Sequence, residues 1–148
     1  MGPKISNVIK SISNAKSIEL FRFIALTKQD TDILISKTKL TRKQYYSRMS
    51  SLSKAGLVKR KDGKYTLTTF GKVIYDSIAT MENAINYYWK LKAIDSLEIS
   101  KDIPAEERKK ILDNLIGDQH IVAVVESNFQ TNADTPIRNI GAIIAGRI

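Results

Sequence analysis

The sequence predicts a mainly α-helical fold that contains one small β-hairpin, and three local patterns carry this prediction. Thr41 and Gln44 have the spacing of a capping box, which marks the start of a helix. The Asp62-Gly63 pair lies between two alternating segments and is typical of a two-residue hairpin turn. An apolar repeat of four and three residues then runs from Ile74 to Tyr88 and predicts a long helix after the hairpin.

Length and composition indicate one globular domain with an extension. The chain has 148 residues, of which 43% are hydrophobic, enough to build a core. The absence of cysteine excludes disulfides, thiolate zinc sites and cysteine nucleophiles, and suits a reducing compartment. No apolar run approaches the roughly 20 residues that span a bilayer, and the N-terminus lacks the apolar block of a signal peptide. We therefore expect a soluble, cytoplasmic, nucleoid-associated protein with no membrane partner.

Charge is distributed unevenly along the chain. The formal net charge is +9, but residues 1–72 hold 16 Lys and Arg against 4 Asp and Glu, which gives +12. Residues 73–148 hold 8 against 11, which gives −3. The first half is suited to binding a polyanion, and the second half to another role.

The segment before the hairpin predicts three helices. The first dozen residues are compatible with a short amphipathic helix or with a frayed arm. From Ser17 an apolar face predicts the first core helix. A second short helix follows, and we expect it to direct Ile33, Leu34 and Leu40 inward.

The third helix, residues 42–55, separates an apolar stripe from a polar one. Tyr45, Met49 and Leu52 are spaced by four and three residues and share the inward stripe. The outward face is polar, with Arg42 and Tyr46 at its flanks. Gly56 is placed to end the helix.

The hairpin, residues 58–68, is expected to have one side on the core and one side in solvent. Val58, Tyr65 and Leu67 alternate with lysines along the two strands. Thr68 or Thr69 is then placed to cap the next helix.

The long helix carries a heptad-like seam that has two interpretations. The seam either packs back on its own domain or pairs with the same helix of a second subunit, as a coiled coil, and we favour the second. The interface residues on this interpretation are Ile74, Ile78, Met81, Ile85 and Tyr88.

The C-terminal part predicts further helices. Asp102 is the expected cap of a helix that has Pro104 in its first turn and ends at Gly117. The segment "IVAVVESNF" fits a helix or a strand equally well, and "QTNADTP" is typical of a loop. The last residues, "IRNIGAIIAGRI", predict a terminal apolar helix that is a natural interface element if it does not pack on its own subunit.

Two strings in this order resemble the winged helix-turn-helix family. "LTRKQYYSRMSSLSKAGLV" is similar to the recognition helix of that family, and "YTLTTFG" resembles the segment with which many archaeal members leave the hairpin, or wing. The resemblance covers residues 17–72 and extends more loosely to residue 97. It implies a winged helix-turn-helix domain at 14–72, followed at 73–148 by a dimerisation helix and C-terminal helices, as in small dimeric archaeal regulators.

The resemblance also implies a DNA-binding site. Members of the family place the third helix in the major groove and the wing along the adjacent backbone or minor groove. The positions that match are Arg42, Lys43, Gln44, Tyr46, Ser47 and Ser50 on the helix, and Lys59, Arg60, Lys61 and Lys64 on the wing. Independently of the resemblance, Arg and Lys neutralise phosphates, and Arg or Gln can contact a base edge in bidentate fashion. A merely solubilising basic surface is the alternative.

Catalysis has little support in the sequence. The single histidine, His120, lies among acids without a phosphate loop, paired metal ligands or a nucleophile motif, so we expect no enzyme, metal or cofactor. Our prediction is a homodimeric double-stranded DNA-binding protein that regulates transcription.

Three alternatives to this prediction stay open. The first is a protein-interaction module in a larger assembly, and the second is a chromatin-like architectural protein. The third alternative is a ligand-responsive repressor whose effector pocket is formed by Tyr87, Tyr88, Trp89 and Phe129, although an aromatic dimer core is the simpler use of these residues.

Overall fold

The computed structural model describes residues 1–27, 30–96 and 102–134 of the chain. Within them it is mainly helical, with one antiparallel hairpin, as the sequence predicts. The chain forms two compact units that divide between Ala79 and Thr80. The described elements are α1 (Ile5–Ser11), α2 (Ala15–Leu26), α3 (Thr31–Thr38), α4 (Arg42–Lys54), β1 (Val58–Lys61), β2 (Lys64–Leu67), α5 (Thr69–Asn86), α6 (Tyr88–Ser96), α7 (Ala105–Leu115) and α8 (Gln119–Asp134).

The first residues form a helix that belongs to the core of the first unit. Val8 of α1 and Ile12, which follows it, are buried in the same cluster as the side chains of α2 and α4. Helix α1 precedes the start of the domain predicted at 14–72, so the first unit is larger than that range at both ends.

Helices α2 and α3 both contribute buried side chains to this core. Leu20, Phe21 and Ile24 of α2 are buried, and Asn14 caps the helix by accepting a hydrogen bond from Ser17 N at 3.0 Å. Leu34 and Leu40 are buried as predicted, but the prediction for Ile33 is wrong, because its side chain is 44% exposed. Leu34 and Thr38, four residues apart, define the inward face of this short helix.

Helix α4 has the predicted start and the predicted buried face, and it ends at Lys54, one residue before the predicted end. Thr41 Oγ1 accepts from Gln44 N at 3.2 Å, and Gln44 Oε1 accepts from Thr41 N at 3.0 Å. Tyr45, Met49 and Leu52 are 0–1% exposed. At the other end Gly56 has a φ of +79°, and Leu57 N bonds to Leu52 O, which is the hydrogen-bond pattern of a Schellman motif.

The hairpin turns at Asp62 and Gly63, whose φ angles are +53° and +78°. Both values are positive, as a type I′ turn requires. The strands pair in the register Val58↔Leu67, Lys59↔Thr66, Arg60↔Tyr65 and Lys61↔Lys64. Thr68 then caps α5, since its Oγ1 accepts from Gly71 N at 2.8 Å and donates to Gly56 O at 2.6 Å.

The second unit has its own apolar cluster, built from Ile94, Leu112, Ile116, Ile121 and Val122. Two expectations for its helices are corrected. Pro104 and not Asp102 is the N-cap residue of α7, and no side chain caps that end. The segment "IVAVVESNF" is helical, and α8 continues to Asp134, so most of "QTNADTP" is helix and not loop. The predicted terminal helix lies outside the described residues.

No helix among the described residues combines the length and the apolar character needed to cross a bilayer.

Candidate nucleic-acid interface

Helix α4 presents every predicted contact residue to solvent. The side chains that the sequence assigns to this face are exposed, while the opposite stripe of the same helix is fully buried. The helix is therefore held by its apolar face and leaves the polar face free. The exposed residues are Arg42, Lys43, Gln44, Tyr46, Ser47 and Ser50.

The N-terminus of α4 is fixed by the capping box. Gln44 uses Oε1 to accept from Thr41 N, so its side-chain oxygen is occupied by this bond. The amide NH₂ group of the same side chain is a pair of donors on the exposed surface. Gln44 can therefore donate to a phosphate or a base acceptor without giving up its role in the cap.

Two of the predicted basic residues are paired with acids at the start of α3. Arg42 donates to Asp32 Oδ1 at 2.7 Å, and Lys64 Nζ lies 3.5 Å from Asp30 Oδ1. All four side chains are about half exposed or more, so water screens both ion pairs. Each cation can exchange its carboxylate partner for a phosphate at small cost.

The register divides the basic residues of the hairpin between two faces. Arg60 lies opposite Tyr65, whose side chain packs on the core beside α4. Lys59 lies opposite Thr66, and both point to the other face, together with Lys61. Lys59, Arg60, Lys61 and Lys64 are all exposed, but they do not form a single row.

Tyr45 and Tyr46 are adjacent but have different environments. Burial raises the pKa of the Tyr45 phenol. No hydrogen bond of ordinary geometry reaches the Tyr45 hydroxyl from the described residues. The Tyr46 ring is 51% exposed and stacks edge-on against Tyr45, with 5.2 Å between ring centroids. The exposed Tyr46 ring is thus positioned by its contact with the buried Tyr45 ring.

Arg48 is a basic residue of α4 to which the sequence gives no role. Its Nη1 lies 2.8 Å from Asn14 Oδ1 and 2.8 Å from Ser17 Oγ, and so links α4 to the capped start of α2. Only the fold brings these residues together, because 34 positions separate Arg48 from Asn14 in the chain. Arg48 holds α4 in place and is not part of the exposed basic face.

The predicted dimer seam divides into two parts. Ile78 is buried in the core of the first unit and Ile74 packs against the same core. Met81, Ile85 and Tyr88 are 56%, 71% and 53% exposed. Ile74 and Ile78 thus pack within the first unit, whereas the described residues leave Met81, Ile85 and Tyr88 uncovered.

The aromatic residues considered for an effector pocket do not share one environment. Tyr87 and Phe129 are partly buried against the second apolar cluster. Trp89 is 74% exposed, and its ring lies edge-on to Tyr88 with Lys92 Nζ 5.4 Å from the Trp89 centroid. The hydrogen bond from Leu91 N to Tyr87 O continues the helical pattern across the boundary between α5 and α6.

His120 lies at the capped start of α8. Asp118 Oδ1 accepts from His120 N at 2.9 Å and from Ile121 N at 3.2 Å, and Asn83 Nδ2 donates to Asp118 Oδ2 at 2.8 Å. These bonds, first that from Ile121, lower the pKa of Asp118. Within the described part of the chain, His, Asp and Glu residues form no cluster suited to a metal ion.

Comparison of the chain with protein-family models, with characterised proteins and with solved structures identified no match.

Proposed function

We propose that the protein is a homodimeric, winged helix-turn-helix protein that binds double-stranded DNA and regulates transcription. On this proposal α4 enters the major groove, and the hairpin is the wing that contacts the flanking backbone. The observation that carries the proposal is the division of α4 into a buried apolar stripe and an exposed polar face with basic residues at its start.

The contact residues have separate roles on this proposal. Lys43 and the wing lysines neutralise phosphates and release counterions, which gives affinity without sequence preference. Arg42, after leaving Asp32, and the amide of Gln44 are the residues able to donate to base edges. Ser47 and Ser50 are small, so they let the helix approach the groove closely. Tyr46 supplies a ring for contact with a sugar or a thymine methyl group.

Dimerisation uses the uncovered part of the α5–α6 surface. Met81, Ile85 and Tyr88 follow one helical stripe, and Trp89 lies beside it. A large exposed apolar patch is typical of a protein interface, and a second copy of this chain would bury it with a self-complementary surface. A dimer with two recognition helices would contact half-sites about one helical turn apart, on the order of 34 Å.

The test is binding of the full chain to a random-sequence duplex pool, measured by fluorescence anisotropy between about 50 and 200 mM salt, with sequencing of the bound fraction. A dimer that neutralises six to ten phosphates should lose about 10³- to 10⁵-fold in affinity over that range. Enrichment of a palindromic motif supports a regulator, whereas a steep salt dependence without enrichment indicates an architectural DNA-binding protein. Absence of binding at low salt contradicts the proposal and favours a protein-interaction module.

Charge-matched variants make this test specific. Each substitution removes two charges from the dimer, so Lys43→Gln and Arg60→Gln should each reduce the slope of log affinity against log salt by about 2. Lys109→Gln removes the same charge from an exposed position on α7, in the acidic half of the chain. If Lys109→Gln changes the slope as much as Lys43→Gln does, binding is not centred on α4.

A further inference from the structure

The first unit contains an open cavity on the side of the hairpin that carries Lys59. The cavity has a volume of about 620 Å³ and lies between the C-terminal end of α2, the two strands and the start of α5. A volume of this order is typical of small-molecule sites. Neither the predicted DNA contacts of α4 nor the α5–α6 surface lines it.

Three lysines from two different elements reach this cavity. Lys59 and Lys61 are two residues apart on β1 and so share one face of the hairpin. Lys72 comes from the first turn of α5, where Lys72 N bonds to the Thr68 carbonyl. No Asp or Glu is found among the described residues that line the cavity.

The position of Lys72 adds to the positive potential. The N-terminal end of a helix carries a partial positive charge, so a lysine in the first turn is unfavourable unless an anion is near. The first turn of α5 contains no acidic residue that would offset this charge. The cavity thus combines the charge of the three ammonium groups with that of the helix end.

The remaining lining is largely apolar. The apolar lining residues include Ile24, Leu26 and Tyr75, and Leu26 is 69% exposed. Leu67 also borders the cavity, but its side chain lies on the core-facing side of the hairpin with Val58 and Tyr65. Thr27 is not a free donor, because its Oγ1 donates to Phe23 O at 2.8 Å. The side-chain donors that line the cavity are therefore the lysines and the hydroxyls of Thr66 and Tyr75, while the apolar lining residues suit a ring or a short hydrocarbon chain.

We propose that this cavity binds a small organic acid, whose carboxylate or phosphate is held by Lys59, Lys61 and Lys72 and whose apolar body rests on Tyr75 and Leu26. Binding of the acid to the free protein does not depend on the function proposed above. If that function holds, occupancy also weakens DNA binding, because Lys59 and Lys61 are then shared by both ligands.

The experiment is an NMR titration of the ¹⁵N-labelled full chain without DNA. The probes are 2-naphthoate, 2-naphthyl phosphate and the neutral 2-naphthol, which have the same ring system and differ in charge. We expect both acids to shift the amide signals of Thr27, Lys59, Thr66 and Lys72, and 2-naphthol to bind at least about tenfold more weakly. Whichever of the two acids binds more tightly identifies the group, carboxylate or phosphate, that the site prefers.

Charge-removing variants test the assignment of the lysines. Lys72→Gln should weaken the binding of 2-naphthoate by about two- to fivefold, as expected for one exposed charge. Replacing Lys59, Lys61 and Lys72 together by Gln should weaken the binding of 2-naphthoate by about ten- to a hundredfold. Lys10→Gln, an exposed position on α1, is the matched control and should leave it unchanged.

Three outcomes overturn the proposal. One is that 2-naphthol binds as tightly as the acids, which would make the site apolar only. Another is that the acids shift amides elsewhere in the chain. The third is that Lys72→Gln and Lys10→Gln have equal effects. Each of these results is obtained without DNA, so it is independent of whether the chain binds DNA.

Discussion

A Cβ atom on Gly71 would overlap the backbone carbonyl oxygen of Leu57, so α5 begins in direct contact with the turn that leads into β1. The same carbonyl accepts a hydrogen bond from Thr68 N at 3.0 Å. Because Thr68 caps α5, one short segment joins the end of α4, the hairpin and the next helix. The position of the hairpin relative to α4 depends on this junction.

Gly71→Ala should therefore destabilise the first unit. The new methyl group meets backbone and not a mobile side chain, so we expect a loss of about 1–3 kcal/mol in the free energy of unfolding. Urea denaturation measures it. Gly2→Ala is the control, since nothing lies within 4 Å of a Cβ at that position. Equal stabilities for the two variants would contradict the close contact.

The sequence predicts best those features of the fold that depend on residues close together in the chain, such as helix caps and tight turns. The capping box at Thr41 and the turn at Asp62 involve residues at most three positions apart, and each has one favoured geometry. Periodicity is less informative, because it places Ile78 and Ile85 on one stripe without showing what covers either of them. Ile78 is buried in the first unit, whereas Ile85 is 71% exposed.

The role of Arg48 is even less accessible to sequence reasoning. Its partners, Asn14 and Ser17, become neighbours only when α2 and α4 pack together. Likewise the alternation of the hairpin shows which lysines share a face, but only the fold shows that Lys72 joins that face. The exposed face of a single element can thus be predicted from residue positions along that element, while groupings built from several elements cannot.

Arg48→Met should separate the structural arginine from the arginines that we propose to contact DNA. The change removes hydrogen bonds to Asn14 and Ser17 and keeps much of the aliphatic packing, so the free energy of unfolding should fall by about 1–3 kcal/mol. The salt slope of DNA binding should stay as in the unmodified chain.

Arg60→Gln is the matched comparison and should do the reverse, with a lower salt slope and stability within about 0.5 kcal/mol. Denaturation and salt-dependent anisotropy on both proteins provide the measurement. A reduced slope for Arg48→Met in the folded protein would place Arg48 in the DNA interface.

Asp32→Asn should strengthen DNA binding. Arg42 now donates to Asp32 Oδ1 at 2.7 Å, and loss of the carboxylate charge leaves Arg42 available to the DNA. We expect affinity to rise by about two- to fivefold at low salt, and less at high salt. Asp95→Asn makes the same charge change at an exposed position on α6. If both variants bind equally well, the gain comes from net charge and not from Arg42.

The hydrogen bonds to the Asp118 carboxylate lead us to expect that the second unit loses stability in acid. Its pKa in the folded chain is lowered from the ordinary value of 3.8, chiefly by the hydrogen bond from Ile121 N. A depressed folded pKa means that the carboxylate stabilises the fold above its unfolded pKa, and that this contribution is lost as the pH falls through the folded value. The window therefore lies below about pH 4.

Asp118→Asn should reduce the dependence of stability on pH within that window. The measurement is urea denaturation of both proteins between about pH 2 and pH 7, followed by a signal from the second unit such as the fluorescence of Trp89. Asp95→Asn serves as the comparison. An unchanged pH profile for Asp118→Asn would mean that the cap does not persist in solution.

The exposed stripe on α5–α6 should control the oligomeric state. Ile85→Glu together with Trp89→Ser places a charge and a small polar group in the proposed interface, where a buried unpaired charge is costly. We expect light scattering to show twice the chain mass of 16.6 kDa for the unmodified protein and the single mass for the variant. Val73→Ser is the control, since Val73 is 60% exposed outside the stripe. DNA binding by the variant should persist with a smaller salt slope, because each monomer retains its own α4. A dimer that survives both substitutions would show that the stripe is not the interface.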